Sequence, residues 1–513
     1  MKKQIITLLL ILLIITNKIY SQSAVKYVLP EPVITELNRL EEAYKILDQF
    51  ANSVWEGWND YIDFPFLMTF QNGLRVLVGH PAPTSEFILY PDRKVHDLAV
   101  CIDTTKLNKF LIQLPLRCGG GVIPFGNFNN KRVTIVNLNF NAVDAGKMIE
   151  SDALTGENHI LVFIHELMHC YQDKILKMRY GNLDLNPYLD YALYSDIEGQ
   201  ALALAYKQSS LEESLPYLRD FCIARGLKIK DMSEQEKNQA SSDEFREGEA
   251  VYSEVVILEN VKRGFESFKS MNTDSEYHRF ENPDIYMEQY FKRLETKSGK
   301  TLELYEKNYE YGCFEALLLQ RYFPGWQKEI ESGKWLDQIL RKRIDITADD
   351  SLLVLKRFKT IYGLDQLKVK HEKVITERNN TYNMLTSRKG KTYIISMKPI
   401  RQPLSREVNK SLKNHKLGLI EMYPDGIGDM NFDGISLSVK PVPAEINELY
   451  YIKVVDTGKG RSGKAYTITC KSKDDSGYYY DATVTTPLFT LKAPKVSIRE
   501  SKDRVKIIVH SRI

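Results

Sequence analysis

Along this chain the spacing of apolar residues changes character several times. Leu37, Leu40, Tyr44 and Leu47 fall on one face of a helix that Thr35 is placed to cap. An aromatic and Pro-rich stretch follows, from Trp55-Glu56-Gly57-Trp58 through Pro65 to His80-Pro81, and then short β-type runs. His80 sits beside Pro81 in a loop context that suits a structural or surface role better than ligation. The last run, Val133 to Phe140, alternates Val136, Leu138 and Phe140 and precedes a long apolar segment. Gly119-Gly120-Gly121 before it predicts a turn, since it lacks the strand–GxGxxG–helix context of a nucleotide site.

From Glu157 to about Leu367 the period is helical, with helices predicted at 157–178, 190–208, 211–225, 243–262, 284–295, 301–322, 326–344 and 350–362. Pro187, Gly226, Pro283, Pro324 and Gly363 mark breaks, and the polar stretch Lys228 to Ser242 reads as a loop. Lys368 to Asn380 reads as a charged linker. Beyond it, short strands at 392–397, 450–455, 465–470, 478–486, 489–491, 496–499 and 505–510 alternate with Gly, Asp, Asn and Pro punctuation. The pattern predicts an α+β chain: an N-terminal α/β region at 23–150, a mostly helical domain at 151–367, a linker at 368–380, and a β-sandwich or barrel-like domain at 381–513. Asp429-Met430-Asn431-Phe432-Asp433-Gly434 imitates a calcium loop, but Lys440 stands where the bidentate acid belongs, so a turn is the better reading.

Length and composition refine this picture. A chain of 513 residues exceeds one ordinary core and predicts two or three domains. A formal charge of +3 with no Lys/Arg tract points away from nucleic acid and anionic membranes as partners. Lys2 and Lys3, the apolar stretch Ile5 to Ile15 and the small polar region Ser21-Gln22-Ser23 form a secretory signal at 1–22 of bacterial type. The expectation is a secreted or periplasmic protein with no membrane span. Six cysteines in so long a chain do not make a disulfide scaffold, although a Cys101–Cys118 pair stays open.

The chemistry concentrates in Ile164-His165-Glu166-Leu167-Met168-His169-Cys170, an HExxH motif in a helical apolar run. Residues four apart share a helix face, so both imidazoles can hold one metal ion, zinc by preference. Glu166 is one position on and reaches the water such a metal holds, which suits a general base. Burying two imidazoles and a carboxylate together without a metal would be costly. Cys170 points about 100° away from His169 and reads as core.

A catalytic zinc takes three protein ligands, and two acids compete for the third place. Glu198 lies in Ile197-Glu198-Gly199-Gln200-Ala201-Leu202 and Glu247 in Arg246-Glu247-Gly248-Glu249-Ala250-Val251-Tyr252-Ser253-Glu254. In both, a small residue after the acid predicts close approach to the HExxH helix. Here the chain resembles the gluzincin metallopeptidases, in which a Glu on a second helix completes the zinc site. Glu247-Gly248-x-Ala250-x-Tyr252-x-Glu254 is similar to the EGxAxYxE segment of their aminopeptidase branch, and Tyr309-Glu310-Tyr311-Gly312 to its YExG. More widely, 55–345 resembles uncharacterised secreted bacterial proteins with HExxHxxQ (His165 to Gln172), an acid-Ala-Leu helix (Glu198 to Leu202), EGxAxY and a Tyr-Gly…Pro-x-Trp helix ending at Trp326. The resemblance implies a zincin-like catalytic domain with zinc on His165, His169 and Glu247, and Glu198 as the alternative third ligand or as an acid orienting a ligand His. It implies an oxyanion donor at Tyr309, with Tyr311 or Tyr252 as alternatives. The interval between HExxH and EGxAxYxE is longer than in those aminopeptidases, and their GxMEN-type motif is not visible.

The strand before an HExxH helix often edges the cleft in such hydrolases, a role expected here of 133–140. The expected function is a secreted zinc metallopeptidase in which Glu166 activates water against a peptide bond of a peptide or protein substrate. Two other classes stay open. One is a non-catalytic binding protein with a vestigial or structural zinc site, its β domain gripping a protein or polymer. The other is a zinc hydrolase of a non-peptide amide or ester.

Overall fold

The computed structural model describes residues 28–70, 74–81, 83, 87–103, 120–124, 132–137, 155–176, 189–266, 269–296, 304–397, 415–417, 420–423, 427–432, 435–447, 451–457 and 465–510. The expected signal segment at 1–22, Cys118, Pro187 and residues 138–140 of the expected edge strand lie outside them. Helix α1, Glu31–Val54, starts before Thr35 because Pro32 presets a helical φ in the first turn, where no N–H is needed. Its expected face is the buried one: Leu37, Leu40, Tyr44 and Leu47 are at most 1% exposed.

Six strands follow: β1 (Phe66–Thr69), β2 (Arg75–Val78), β3 (Ile88–Val95), β4 (Leu98–Asp103), β5 (Gly120–Pro124) and β6 (Arg132–Asn137). They form one sheet in the order β3-β4-β2-β1-β6-β5, with β1 and β6 parallel and the other neighbours antiparallel. Two expectations are corrected here. The strand expected at the cleft edge, 133–140, is β6, and it lies inside the sheet between β1 and β5. The outer position belongs to β5, whose Gly120 and Gly121 pair with Val136 and Ile135 instead of turning. Glycines carry no side-chain alternation, so nothing local announces the strand; pairing with β6 makes it.

Helix α2 (Thr155–Ile175) carries the HExxH motif and lies against β5, β6 and α1. The helical layer continues with α3 (Leu189–Tyr206), α4 (Leu211–Lys228), α5 (Glu234–Lys262), α6 (Asp284–Thr296), α7 (Leu304–Tyr322), α8 (Gln327–Glu331), α9 (Leu336–Arg343), α10 (Ala348–Thr360) and α11 (Leu364–Thr386). Gly226 stays inside α4 and does not break it. Most of the loop expected at 228–242 is the first part of α5, held by a reciprocal capping box between Ser233 and Glu236. The helix expected at 326–344 is divided at Gly333, whose φ of +91° ends α8. The expected linker is the long helix α11. His371 plugs it into the helical layer: its Nε2 lies 2.8 Å from Asp196 Oδ2 on α3, and Lys307 of α7 donates to Asp196 Oδ1 at 2.5 Å.

Residues 391–509 contribute β7 (Lys391–Ser396), β8 (His415–Leu417), β9 (Ile420–Tyr423), β10 (Asp429–Phe432), β11 (Ile435–Val439), β12 (Ala444–Asn447), β13 (Tyr451–Asp456), β14 (Thr467–Thr469), β15 (Ser472–Lys473), β16 (Tyr478–Thr485), β17 (Phe489–Ser501) and β18 (Arg504–Val509). They make one curled, half-barrel sheet of 12 strands with its own core, including Ile395, Ile446, Ile452, Leu491 and Ile507, all 0% exposed. Most of the segment expected as an Asp/Gly turn, 429–434, is strand β10. The runs read separately at 489–491 and 496–499 are one strand that changes partners. Up to Lys492 it pairs with β11, and from Val496 with β18, so Pro494 falls where that side needs no donor. The chain is thus mixed α+β, and no helix among the described residues is long and apolar enough to cross a membrane.

Candidate metal centre

On α2, His165 and His169 stand one turn apart with ring centroids separated by 4.7 Å and planes at 89°. Helix α5 runs antiparallel to α2 and brings Glu247 between them. Glu247 Oε2 lies 3.8 Å from His165 Nε2 and 3.5 Å from His169 Nε2, and one donor atom from each residue lies within 4.8 Å of the others. Ligand atoms about 2.0–2.1 Å from a tetrahedral zinc are roughly 3.3 Å apart, so the set needs only a small contraction to share an ion.

The outward nitrogens decide whether the inward ones can ligate. His165 Nδ1 lies 2.7 Å from Glu254 Oε1, and Tyr290 donates its hydroxyl proton to the other oxygen of Glu254. A carboxylate only accepts, so His165 carries a proton on Nδ1, which makes Nε2 the nitrogen that can face an ion. His169 Nδ1 lies 2.9 Å from Gln172 Oε1. His165, His169 and Glu247 are all buried. Burial pushes the pKa of His165 down, but Glu247, Glu254 and Glu166 outweigh it and raise it to about 10. Burial pushes Glu247 up, yet His169 and His165 hold it well below the usual carboxylate range. Two imidazoles facing three acids make a field that favours a divalent cation. Nitrogen, nitrogen and carboxylate donors with a second layer of hydrogen bonds fit such an ion.

Glu198, the alternative third ligand, is elsewhere. It is 0% exposed and held by Arg225 Nε at 2.7 Å and by Lys228 Nζ, within a buried cluster that also joins Arg225 to Glu244, Glu315 and Asp337. It lies outside the cluster of His165, His169 and Glu247, whose outward imidazole nitrogens meet Glu254 and Gln172. Both stand in the quoted motifs without an assigned task. Their signal is periodic: Gln172 is three residues after His169, and Glu254 lies two turns after Glu247 on the same face.

The small residues beside the acids also act differently from expectation, because both admit α7 and not α2. A Cβ on Gly199 would meet the Tyr311 hydroxyl at 2.6 Å, and one on Gly248 would meet Gly312 Cα at 2.3 Å. At that glycine-to-glycine crossing, α7 is drawn in so that Tyr309, one turn before Gly312, lies against His165. The two ring planes are 18° apart with centroids 6.1 Å from each other. The alternative tyrosines are committed elsewhere. Tyr311 donates to the Ser195 carbonyl at 2.5 Å, and Tyr252 is 0% exposed with its ring packed edge-on to Trp326. Cys170 is buried outside the cluster, Cys101 is a buried free thiol, and His80 is buried away from the metal donors. No protein-family model, curated protein or solved structure matches the chain.

Proposed function

We propose that the chain is an exported zinc-dependent hydrolase, a metallopeptidase of gluzincin type. The observation that carries this reading is the convergence of His165 Nε2, His169 Nε2 and Glu247 with Glu166 beside them. A structural site has no use for a non-ligand carboxylate at that position. Bound zinc would supply Lewis acidity toward a carbonyl and lower the pKa of water. Glu166, 4% exposed on the ligand helix, takes the proton from the attacking water and returns it to the leaving amine nitrogen. Tyr309 donates a hydrogen bond to the carbonyl oxygen as charge gathers there. The outer edge of β5, beside α2, offers main-chain donors and acceptors to an extended peptide.

The test is cleavage of casein and of fluorogenic peptides with and without o-phenanthroline. Chelator-sensitive cleavage is expected, reduced roughly 10²–10⁴-fold in Glu166→Gln while zinc is retained. Stoichiometric zinc with no turnover on broad peptide libraries would sink the peptidase reading; turnover of an amide or ester panel alone would move the activity to those substrates. Tyr309→Phe is expected to lower kcat by on the order of 10²-fold with KM nearly unchanged, as for loss of one oxyanion donor. An unchanged kcat would remove Tyr309 from the chemistry.

A further inference from the structure

The two metal-binding histidines are backed unequally. His165 leans on a carboxylate, Glu254, whereas His169 leans on a neutral amide, Gln172, which is 1% exposed. Gln172 has a second contact: its Nε2 donates to the Arg246 carbonyl at 3.0 Å. A carbonyl cannot donate, so that contact fixes which end of the amide is which. Oε1 therefore faces His169 Nδ1, and His169 must carry its proton there. That leaves Nε2, 3.5 Å from Glu247, as the His169 nitrogen that can face an ion. Arg246 is the residue immediately before Glu247. One side chain on α2 thus grips a ligand on its own helix and the backbone adjoining the ligand on α5.

We propose that Gln172 is a positioning residue, an interhelical clamp that sets the tautomer of His169 and the register of Glu247 against it. This rests on the reading of His165, His169 and Glu247 as a zinc site. An amide is the side chain that serves: it accepts on one atom and donates on the other, as both contacts require. A carboxylate could serve His169 but would meet the Arg246 carbonyl with a lone pair and add a further acid beside Glu247. A thioether of the same length would make neither bond.

The experiment is zinc affinity by chelator competition on the full chain, together with the visible spectrum of the cobalt(II) form, in wild type, Gln172→Met and Gln172→Glu. Gln172→Met keeps the packing and is expected to bind zinc roughly 10–100-fold more weakly, the usual effect of removing a hydrogen bond to a ligand. Its cobalt spectrum should change, because the donors are no longer held in the same geometry; a purely structural role would lower thermal stability and leave that spectrum alone. Gln172→Glu restores the acceptor for His169 only. It should bind more tightly than Gln172→Met, with a spectrum still unlike wild type. Gln172→Met matching wild type in affinity and spectrum overturns the clamp while leaving the hydrolase reading intact. Gln172→Glu matching wild type in both overturns the part played by Arg246, and does so even if the Met variant fails to fold. A wild-type chain that takes up neither zinc nor cobalt overturns both readings.

Discussion

Glu247→Ala is expected to leave the purified chain without zinc after dialysis, and Glu198→Ala to keep it. Removing Glu247 takes away the carboxylate that lies between both Nε2 atoms, so two imidazoles remain of the three donors grouped here. Removing Glu198 touches no ligand but leaves Arg225 and Lys228, both buried, with one anion fewer. Breaking a buried ion pair from one side costs about 3–5 kcal/mol, because a charge is left where water cannot reach it. The two variants should therefore fail in opposite ways. Glu247→Ala loses metal and turnover while its metal-free thermal midpoint moves little. Glu198→Ala keeps its metal donors while its midpoint drops by several degrees. Measuring both midpoints in chelator matters, since bound zinc would otherwise stabilise only the variant that still binds it. Zinc lost in Glu198→Ala and kept in Glu247→Ala would reverse the assignment.

Sequence periodicity cannot separate those two acids, and the reason is physical. Each is an acid followed by glycine on an apolar helix, a pattern that says only that the acid is buried and another helix comes close. What it approaches is set by tertiary packing: Arg225, 27 residues on and on the next helix, claims Glu198. The HExxH face is legible because all its geometry lies within one helix turn. Long-range clamps such as Gln172 to Arg246 are not.

The same distinction explains the fold. Helices rich in buried apolar residues, such as α3 and α7, stand close to their expected bounds. The first part of α5 is polar on most sides and helical because of a capping box, so a hydrophobic period misses it. Helix α11 looks like a charged linker because most of its surface is solvated; the contacts that dock it include Leu364 and Leu367 against the core and the buried His371 bonded to Asp196. Strand β5 is misread for the opposite reason, since glycine carries no pattern at all and only its partner strand reveals it.

Gly248→Ala should destabilise the fold by more than about 3 kcal/mol, above the usual cost of overpacking. On helix propensity alone the substitution would help, because alanine exceeds glycine by roughly 0.5–1 kcal/mol in a helix interior. The added Cβ, however, would stand 2.3 Å from Gly312 Cα, 2.5 Å from Gly312 C and 2.6 Å from Cys313 N. All three are backbone atoms, so no rotamer change relieves the clash and α7 must move as a body. Gly312→Ala meets the same obstacle from the other side, with its Cβ 2.2 Å from the Glu244 carbonyl oxygen. Gly226→Ala is the control: it is also helical, yet its Cβ would find only the far end of Arg341 at 4.0 Å. That variant should gain the propensity term and raise the thermal midpoint slightly. Because α7 carries Tyr309, any Gly248→Ala protein that still folds should bind zinc yet show the low kcat of Tyr309→Phe. Equal midpoints for Gly248→Ala and Gly226→Ala would mean that α5 and α7 do not cross at this contact, and the placement of Tyr309 over His165 would fall with it.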